Sequence, residues 1–172
     1  MGVEQSTPFP IMDNDIIDSF TGENFFLSNF ALSDITYNGV LYPTVEHAYQ
    51  ASKTLDLKER CGIASLTTPS MAKHAGKKVK LRDDWDKIKL NIMEELISLK
   101  FEIPNLHKRL QETFPKELIE GNYWHDTFWG VCNGKGQNHL GKLLMKIRQR
   151  NDFIRRLKQA ELLDDALVIY KV

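Results

Sequence analysis

The sequence predicts a mostly helical α+β fold in one compact domain with a short β-hairpin, and three observations carry that expectation. Apolar residues recur at helical period over several segments, and an Asn-Gly pair separates two short alternating runs. Nothing in the 172 residues marks a boundary between two cores, and the length suffices for one.

Residues 1–18 contain Pro8 and Pro10 without periodicity and are expected to form a loose or peripheral arm, leaving 19–172 as the domain. Ile35-Thr36-Tyr37 and Val40-Leu41-Tyr42 alternate around Asn38-Gly39, a pair that accepts the positive φ angles of a tight hairpin turn. The hairpin feeds a helix for which Thr44 is a good N-cap, expected to run to about Arg60. Thr68-Pro69 opens a short helix and Gly76 closes it. From about Asp83 to Phe101, Trp85, Ile88, Ile92, Leu96 and Leu99 fall on one face, which predicts the central core helix. Pro104 opens another helix with Leu106, Leu110 and Phe114, and Leu118-Ile119-Glu120 reads as extended. A last helix, roughly His139 to Leu163, turns Leu140, Leu143, Leu144, Ile147 and Phe153 inward, and Leu167-Val168-Ile169-Tyr170 reads as a terminal strand.

Composition narrows the function classes. Lys+Arg and Asp+Glu number 23 each, so no global field recruits nucleic acid or an anionic membrane, and any nucleic-acid contact must be local. Cys61 and Cys132 have no CxxC partner, which argues for free thiols in a reducing, cytoplasmic setting. The N-terminus lacks a basic region followed by an apolar run, and no stretch approaches the ~18 apolar residues of a membrane span. Composition says nothing of oligomeric state.

Two segments read as halves of one polar site. In Tyr42 to Lys53, Glu46, Tyr49, Gln50 and Lys53 fall at i, i+3, i+4 and i+7, so a carboxylate, a phenol, an amide and an amine point together from one helix face. The competing reading is a solvated Glu-to-Lys stripe; Tyr49 and Gln50 between the charges, and Tyr37 and Tyr42 just before them, weigh against it. Glu46 would be the second helical residue, where the dipole favours the ionised form, suited to a base or a stabiliser of positive charge. In the second segment, Asn122 to Gly130, Trp124, Asp126, Phe128 and Trp129 either form a tucked cluster with Asp126 capping a turn, or wall a site in which Asp126 binds ribose hydroxyls or activates water.

Other residues are weaker candidates. Ser28 and Asn29 lie among Phe25, Phe26 and Phe30, free to bind a base edge or a sugar if the rings are core. Trp85 is a core residue or a stacking platform, and Lys89 a phosphate partner or merely exposed. The loop Gly134-Lys135-Gly136 misses both the Walker A pattern, because Leu143 stands at its Ser/Thr position, and the dinucleotide fingerprint. Free N–H groups at the start of the last helix could still receive a phosphate. The five histidines show no metal-ligand spacing, so neither a metal nor a cofactor is expected.

Taken together, Asn24 to Phe30, Tyr42 to Lys53, Ala72 to Gly76 leading to Leu81 to Asp86, Lys100-Phe101, Trp124 to Gly130, and Asn138 to Met145 strongly resemble the YbiA-like, or NADAR, family over about residues 20 to 150. The resemblance implies a compact, mostly helical α+β fold and cleavage of N-glycosidic bonds. Members are implicated in removing ADP-ribose from guanine in nucleic acid and in hydrolysing early riboflavin-pathway intermediates. It places the acidic residue of the Glu-His-x-Tyr-Gln motif at Glu46, the lysine of that helix at Lys53, and the Trp-x-Asp segment at Trp124 and Asp126. Some relatives carry a cysteine cluster after the Trp-Gly pair, whereas this chain has only Cys132 there.

The expected function is therefore a metal-free N-glycosidase, with guanine-linked ADP-ribose in a nucleotide or nucleic acid as the leading substrate and a ribosylaminopyrimidine as the alternative. Glu46 or Asp126 would stabilise a ribosyl cation and orient water, or a neutral Lys53 would attack the anomeric carbon and form a Schiff base. Substrate binding is expected from Ser28, Asn29, Tyr49, Gln50, Trp85, Lys89, Trp124 and Trp129. A module that holds ADP-ribose or NAD without turnover would use the same groups.

Overall fold

The structure, a computed structural model, describes residues 16–150 and 152. Three two-stranded ladders surround a helical core. Strand β1 (Ile16–Ile17) pairs in parallel with β4 (Glu117–Leu118), β2 (Leu32–Tyr37) pairs antiparallel with β3 (Val40–Thr44), and β5 (Gly121–Asn122) pairs in parallel with β6 (Val131–Cys132). Between β1 and β2 runs a short 3-10 helix, Gly22–Leu27. The helices are α1 (Val45–Ala51), α2 (Leu57–Ala64), α3 (Pro69–Ala75), α4 (Trp85–Lys100), α5 (Pro104–Glu112) and α6, residues 139–150.

The hairpin forms as its turn chemistry requires, with Asn38 and Gly39 at φ 49° and 77° and Thr36 opposite Leu41. Thr44 ends β3 and caps α1 at once, its hydroxyl accepting from the His47 N–H at 3.2 Å. The helix then stops nine residues short of the expected Arg60, because the N–H groups of Lys53 and Thr54 turn back to the carbonyls of Gln50 and Ala51, three residues earlier. Asp56 restarts the chain as α2, its carboxylate accepting from the N–H groups of Lys58 and Glu59. Lys53 consequently sits in the closing turn of α1, not in a further helical turn.

Helix α4 is the core helix that the periodicity predicts. Trp85, Ile92 and Leu96 are buried with Met93 and Ile97, while Ile88 and Leu99 are half-buried against them. Three expected core positions differ. Phe114 lies beyond the end of α5 and is exposed, its ring 5.5 Å below the Arg148 guanidinium, and of the three early phenylalanines only Phe26 is buried. Ile16–Ile17, the end of the expected arm, is drawn into the fold by β4. Phe153 and the expected strand at 167–170 lie outside the described residues.

Helix α6 is tied to the rest at both ends. Arg148 donates to the Thr113 hydroxyl at 2.8 Å and to the Lys116 carbonyl at 3.0 Å. Near its start, a Cβ on Gly141 would run into the carbonyl oxygen of Leu118, so glycine sets how closely α6 approaches β4. Gly141→Ala is expected to cost about 1–3 kcal/mol, the usual penalty of overpacking against an unyielding backbone. Thermal unfolding should show a lowered Tm.

Candidate active site

All seven residues of α1 are buried, including Glu46, His47 and Gln50. That removes the solvated-stripe reading of this helix. His47 is structural, its Nδ1 2.7 Å from the Thr44 hydroxyl and its Nε2 3.1 Å from the Leu66 carbonyl. Glu46, Tyr49, Gln50 and Lys53 instead line a cavity of about 670 Å³, within the range of small-molecule sites. Ser28, Asn29, Trp124, Asp126 and Trp129 complete the set of expected residues on its wall. The two sequence segments thus meet in space.

Each position has a local cause. The Ser28–Asn29 turn is held at both residues: the Lys100 ammonium donates to the Ser28 carbonyl at 2.6 Å, and the Asn29 carbonyl accepts the Glu46 N–H at 3.0 Å. Gln50 Nε2 donates to Glu46 Oε1 at 2.8 Å, one turn back along α1. Asp126 caps the turn, its Oδ1 accepting from the N–H groups of Phe128 (3.1 Å) and Trp129 (2.9 Å), and the residue also lines the cavity. The cap fixes Trp129, whose ring meets Tyr49 edge-on at 5.5 Å.

Two expected binding residues lie elsewhere. Trp85 is buried behind Tyr49, ring centroids 5.0 Å apart, and supports the wall without forming it. Lys89 pairs with Asp86 at 2.7 Å and lies 4.6 Å from the Phe128 ring, away from the cavity lining. The N–H groups at the start of α6 are not open to a phosphate either. Those of Gln137, Asn138, His139 and Leu140 bond to the carbonyls of Thr127, Gly130, Phe128 and Trp129, which is how α6 holds the aromatic loop. Tyr42 is core, and Tyr37 donates from its hydroxyl to Glu95 at 2.6 Å on another face.

Sequence reasoning missed Glu120 and Lys73 on the cavity wall, and Tyr123 at its exposed mouth. Lys73 carried a signal, belonging to the Ala72–Gly76 motif; Glu120 carried none, because a carboxylate in a short extended run looks like an exposed strand residue. Among the described residues, none of Glu46, Glu120 and Asp126 forms an ion pair within 4.0 Å with Lys53, Lys73 or Lys100. The charges surround the space without neutralising one another pairwise.

Burial dominates their ionisation. It raises the Glu46 carboxyl, opposed by the Gln50 hydrogen bond and the charges of Lys73 and Lys53. The dipole argument therefore covers only part of this residue's environment, and desolvation outweighs it. Burial lowers the Lys53 ammonium; Glu46 opposes this, and the like charges of Lys73 and Lys77 reinforce it. Burial also lifts Tyr49, which stays a neutral phenol at neutral pH. No group of three or more His, Cys, Asp or Glu among the described residues could hold a metal ion, and both cysteines are free. No described helix is long and apolar enough to cross a membrane.

Fold and site together define a one-domain α+β protein with a polar, aromatic-walled cavity opened around one buried helix. The chain belongs to the NADAR domain family, whose model matches residues 18–151. It is 36% identical over 146 residues to "N-glycosidase YbiA" of Shigella flexneri, covering 81% of this chain and 91% of that one. The solution structure of Escherichia coli YbiA superposes with a TM-score of 0.74 at 34% identity, over 84% of this chain and 89% of that one. The chain is also 32% identical over 150 residues to a riboflavin biosynthesis protein, PYRR, of Zea mays, covering 78% of this chain and 23% of that larger protein.

Proposed function

We propose that the cavity hydrolyses an N-glycosidic bond to ribose, with Lys53 as the nucleophile, and that its substrate is guanine bearing ADP-ribose in a nucleotide or nucleic acid. The observation that carries this reading is the Lys53 amine, desolvated and free of an ion pair among the described residues, on the same aromatic wall as Glu46. Burial favours the neutral amine, the form able to attack carbon. Addition of that amine to the anomeric carbon, with departure of the base, leads through ring opening to an iminium ion on Lys53. Water then hydrolyses the iminium and returns the free amine. Glu46, whose carboxyl burial raises while the Gln50 hydrogen bond and the Lys73 charge favour its anion, supplies the negative potential that stabilises positive charge at the ribose carbon.

The substrate choice rests on the mouth. Tyr123 is 86% exposed and Trp124 49% exposed, their rings 5.1 Å apart beside the cavity, a surface on which a base and its flanking nucleotides can stack. The maize relative's name favours a second reading, in which a ribosylaminopyrimidine fills the same cavity and undergoes the same bond cleavage. Incubating the protein with guanine-ADP-ribosylated DNA, with a ribosylaminopyrimidine and with free ADP-ribose, products followed by mass spectrometry, tests both. Release of unmodified guanine in the DNA supports the first and release of the pyrimidine alone the second; retention of ADP-ribose without turnover of either would make the protein a binding module. Because the histidines show no metal-ligand spacing, activity should survive exhaustive chelation. Loss with EDTA and recovery with one divalent ion would overturn the metal-free mechanism.

A further inference from the structure

A base cannot leave ribose as a bare anion in a desolvated cavity, so hydrolysis at this site requires a proton donor, and the two carboxyls of the wall are not equivalent. Glu46 accepts a hydrogen bond from Gln50 and sits near Lys53 and Lys73. Glu120 is placed differently. Its Oε2 is buried on the cavity wall and has no hydrogen-bond partner among the described residues, whereas its backbone is fixed on both sides. The Glu120 N–H donates to Asn138 Oδ1 at 3.0 Å, the Glu120 carbonyl accepts from Val131 at 2.8 Å, and Asn138 Nδ2 reaches the Leu118 carbonyl at 2.9 Å. Gly130 is glycine because a side chain there would strike this same carbonyl and crowd the Glu120 side chain. A rigid support thus holds, in the wall of the space where the ligand must lie, a carboxyl one of whose oxygens is buried without a partner.

We infer that Glu120 is the general acid of the N-glycosidase reaction proposed above, on which this inference rests. As the bond from ribose carbon to base nitrogen breaks, its electron pair stays on nitrogen and the Glu120 proton goes to that nitrogen. The resulting carboxylate then takes a proton from the water that adds to the Lys53 iminium ion, and collapse of the adduct releases the aldehyde sugar and the neutral lysine. Atoms and charges balance over the cycle without a further reactant.

The surroundings favour a protonated resting state. Burial, reinforced by Asp126 on the aromatic loop, lifts Glu120 to about 7, while Lys73 on α3 and Lys100 on α4 pull the other way. Glu46 and Lys53 line the same cavity. Lys100 is itself held down to about 7 by burial, which weakens its pull on Glu120 as the pH rises. Burial raises both carboxyls, and hydrogen bonding separates them: Gln50 donates to Glu46, which favours its anion, whereas Glu120 Oε2 has no partner, so Glu120 is suited to the acid and Glu46 to the stabilising role.

The sign is definite: an acid must be protonated to act, so activity should fall as the pH rises through about 7, giving an alkaline limb to the kcat profile. Glu120→Gln should lower kcat by about 100-fold or more with KM within a few-fold, and should abolish that limb, since an amide does not titrate. Glu120→Asp, which keeps the acid but withdraws it by one methylene, should retain the limb at reduced kcat; loss of the limb in that folded variant would count against Glu120. In the unliganded protein, ¹³C-glutamate labelling, with the resonance assigned by its disappearance in Glu120→Gln, should show one carboxyl titrating near neutrality. A Glu120 that titrates near the ordinary carboxylate range, about 4, overturns the proposal without any substrate. So does Glu120→Gln with wild-type kcat and an unchanged pH profile. Failure of the N-glycosidase reading has a different signature, a wild-type protein that turns over none of the three compounds.

Discussion

Replacing Lys53 by arginine is expected to abolish turnover while ligand binding survives. Arginine keeps the positive charge and much of the length, and can still lie beside the Tyr49 and Trp85 rings, from which the lysine ammonium is 5.8 and 5.9 Å. What it cannot do is lose its proton near neutral pH and attack carbon. The loss should therefore exceed 1,000-fold in kcat, on the order of what removal of a nucleophile costs, with ADP-ribose affinity by calorimetry little changed. Borohydride added during wild-type turnover should reduce the imine and leave a ribosyl adduct on Lys53, identified by peptide mass spectrometry. Substantial turnover by Lys53→Arg with no adduct would move the mechanism to carboxylate stabilisation alone. An adduct on Lys73, which shares the cavity, would keep the chemistry and reassign the amine. Because burial depresses the Lys53 ammonium, the limb on which activity rises with pH as that amine loses its proton should lie below the ordinary lysine range.

Glu46→Gln should lower turnover by at least about 100-fold, the scale of losing an electrostatic catalyst, while leaving the fold intact. The amide is nearly isosteric and can still present an oxygen to Gln50 Nε2. Its effect on the neighbouring amine tests the geometry as well as the chemistry. Glu46 holds the Lys53 ammonium up against burial, so its neutralisation should shift the acidic limb to lower pH. Near-wild-type rates with normal melting would remove Glu46 from the mechanism, and a lowered rate with an unmoved limb would separate Glu46 from Lys53.

Much of the site could be read from sequence because its chemistry is concentrated in short segments. Thr44 as cap, and helical spacing after it, were enough to align Glu46, Tyr49 and Gln50; the placement of Lys53 survived even though α1 ends at Ala51, since the closing turn keeps it beside the same face. Asp126 was legible as either a cap or a site residue, and in the structure the capping residue lines the cavity. Trp85 and Lys89 were misplaced for one reason: spacing on a helix gives a direction relative to that helix, not what stands in front of it. Tyr49 screens Trp85 from the cavity, and Asp86 and Phe128 occupy Lys89.

Local signals alone determined the hairpin, the caps of α1 and α3 and the apolar face of α4. These depend on φ preferences, side-chain hydrogen bonds to nearby N–H groups and residue period, all of which act within a few residues. Only the tertiary structure decided which polar groups lose water. Position favours the ionised form of Glu46 while burial raises its carboxyl, Lys100 is a fully buried support for Ser28, and Glu120 is set in the cavity wall because the aromatic loop and α6 hold its backbone there. Desolvation is a property of everything within several ångströms in space, and the residues that impose it here come from parts of the chain far apart in sequence.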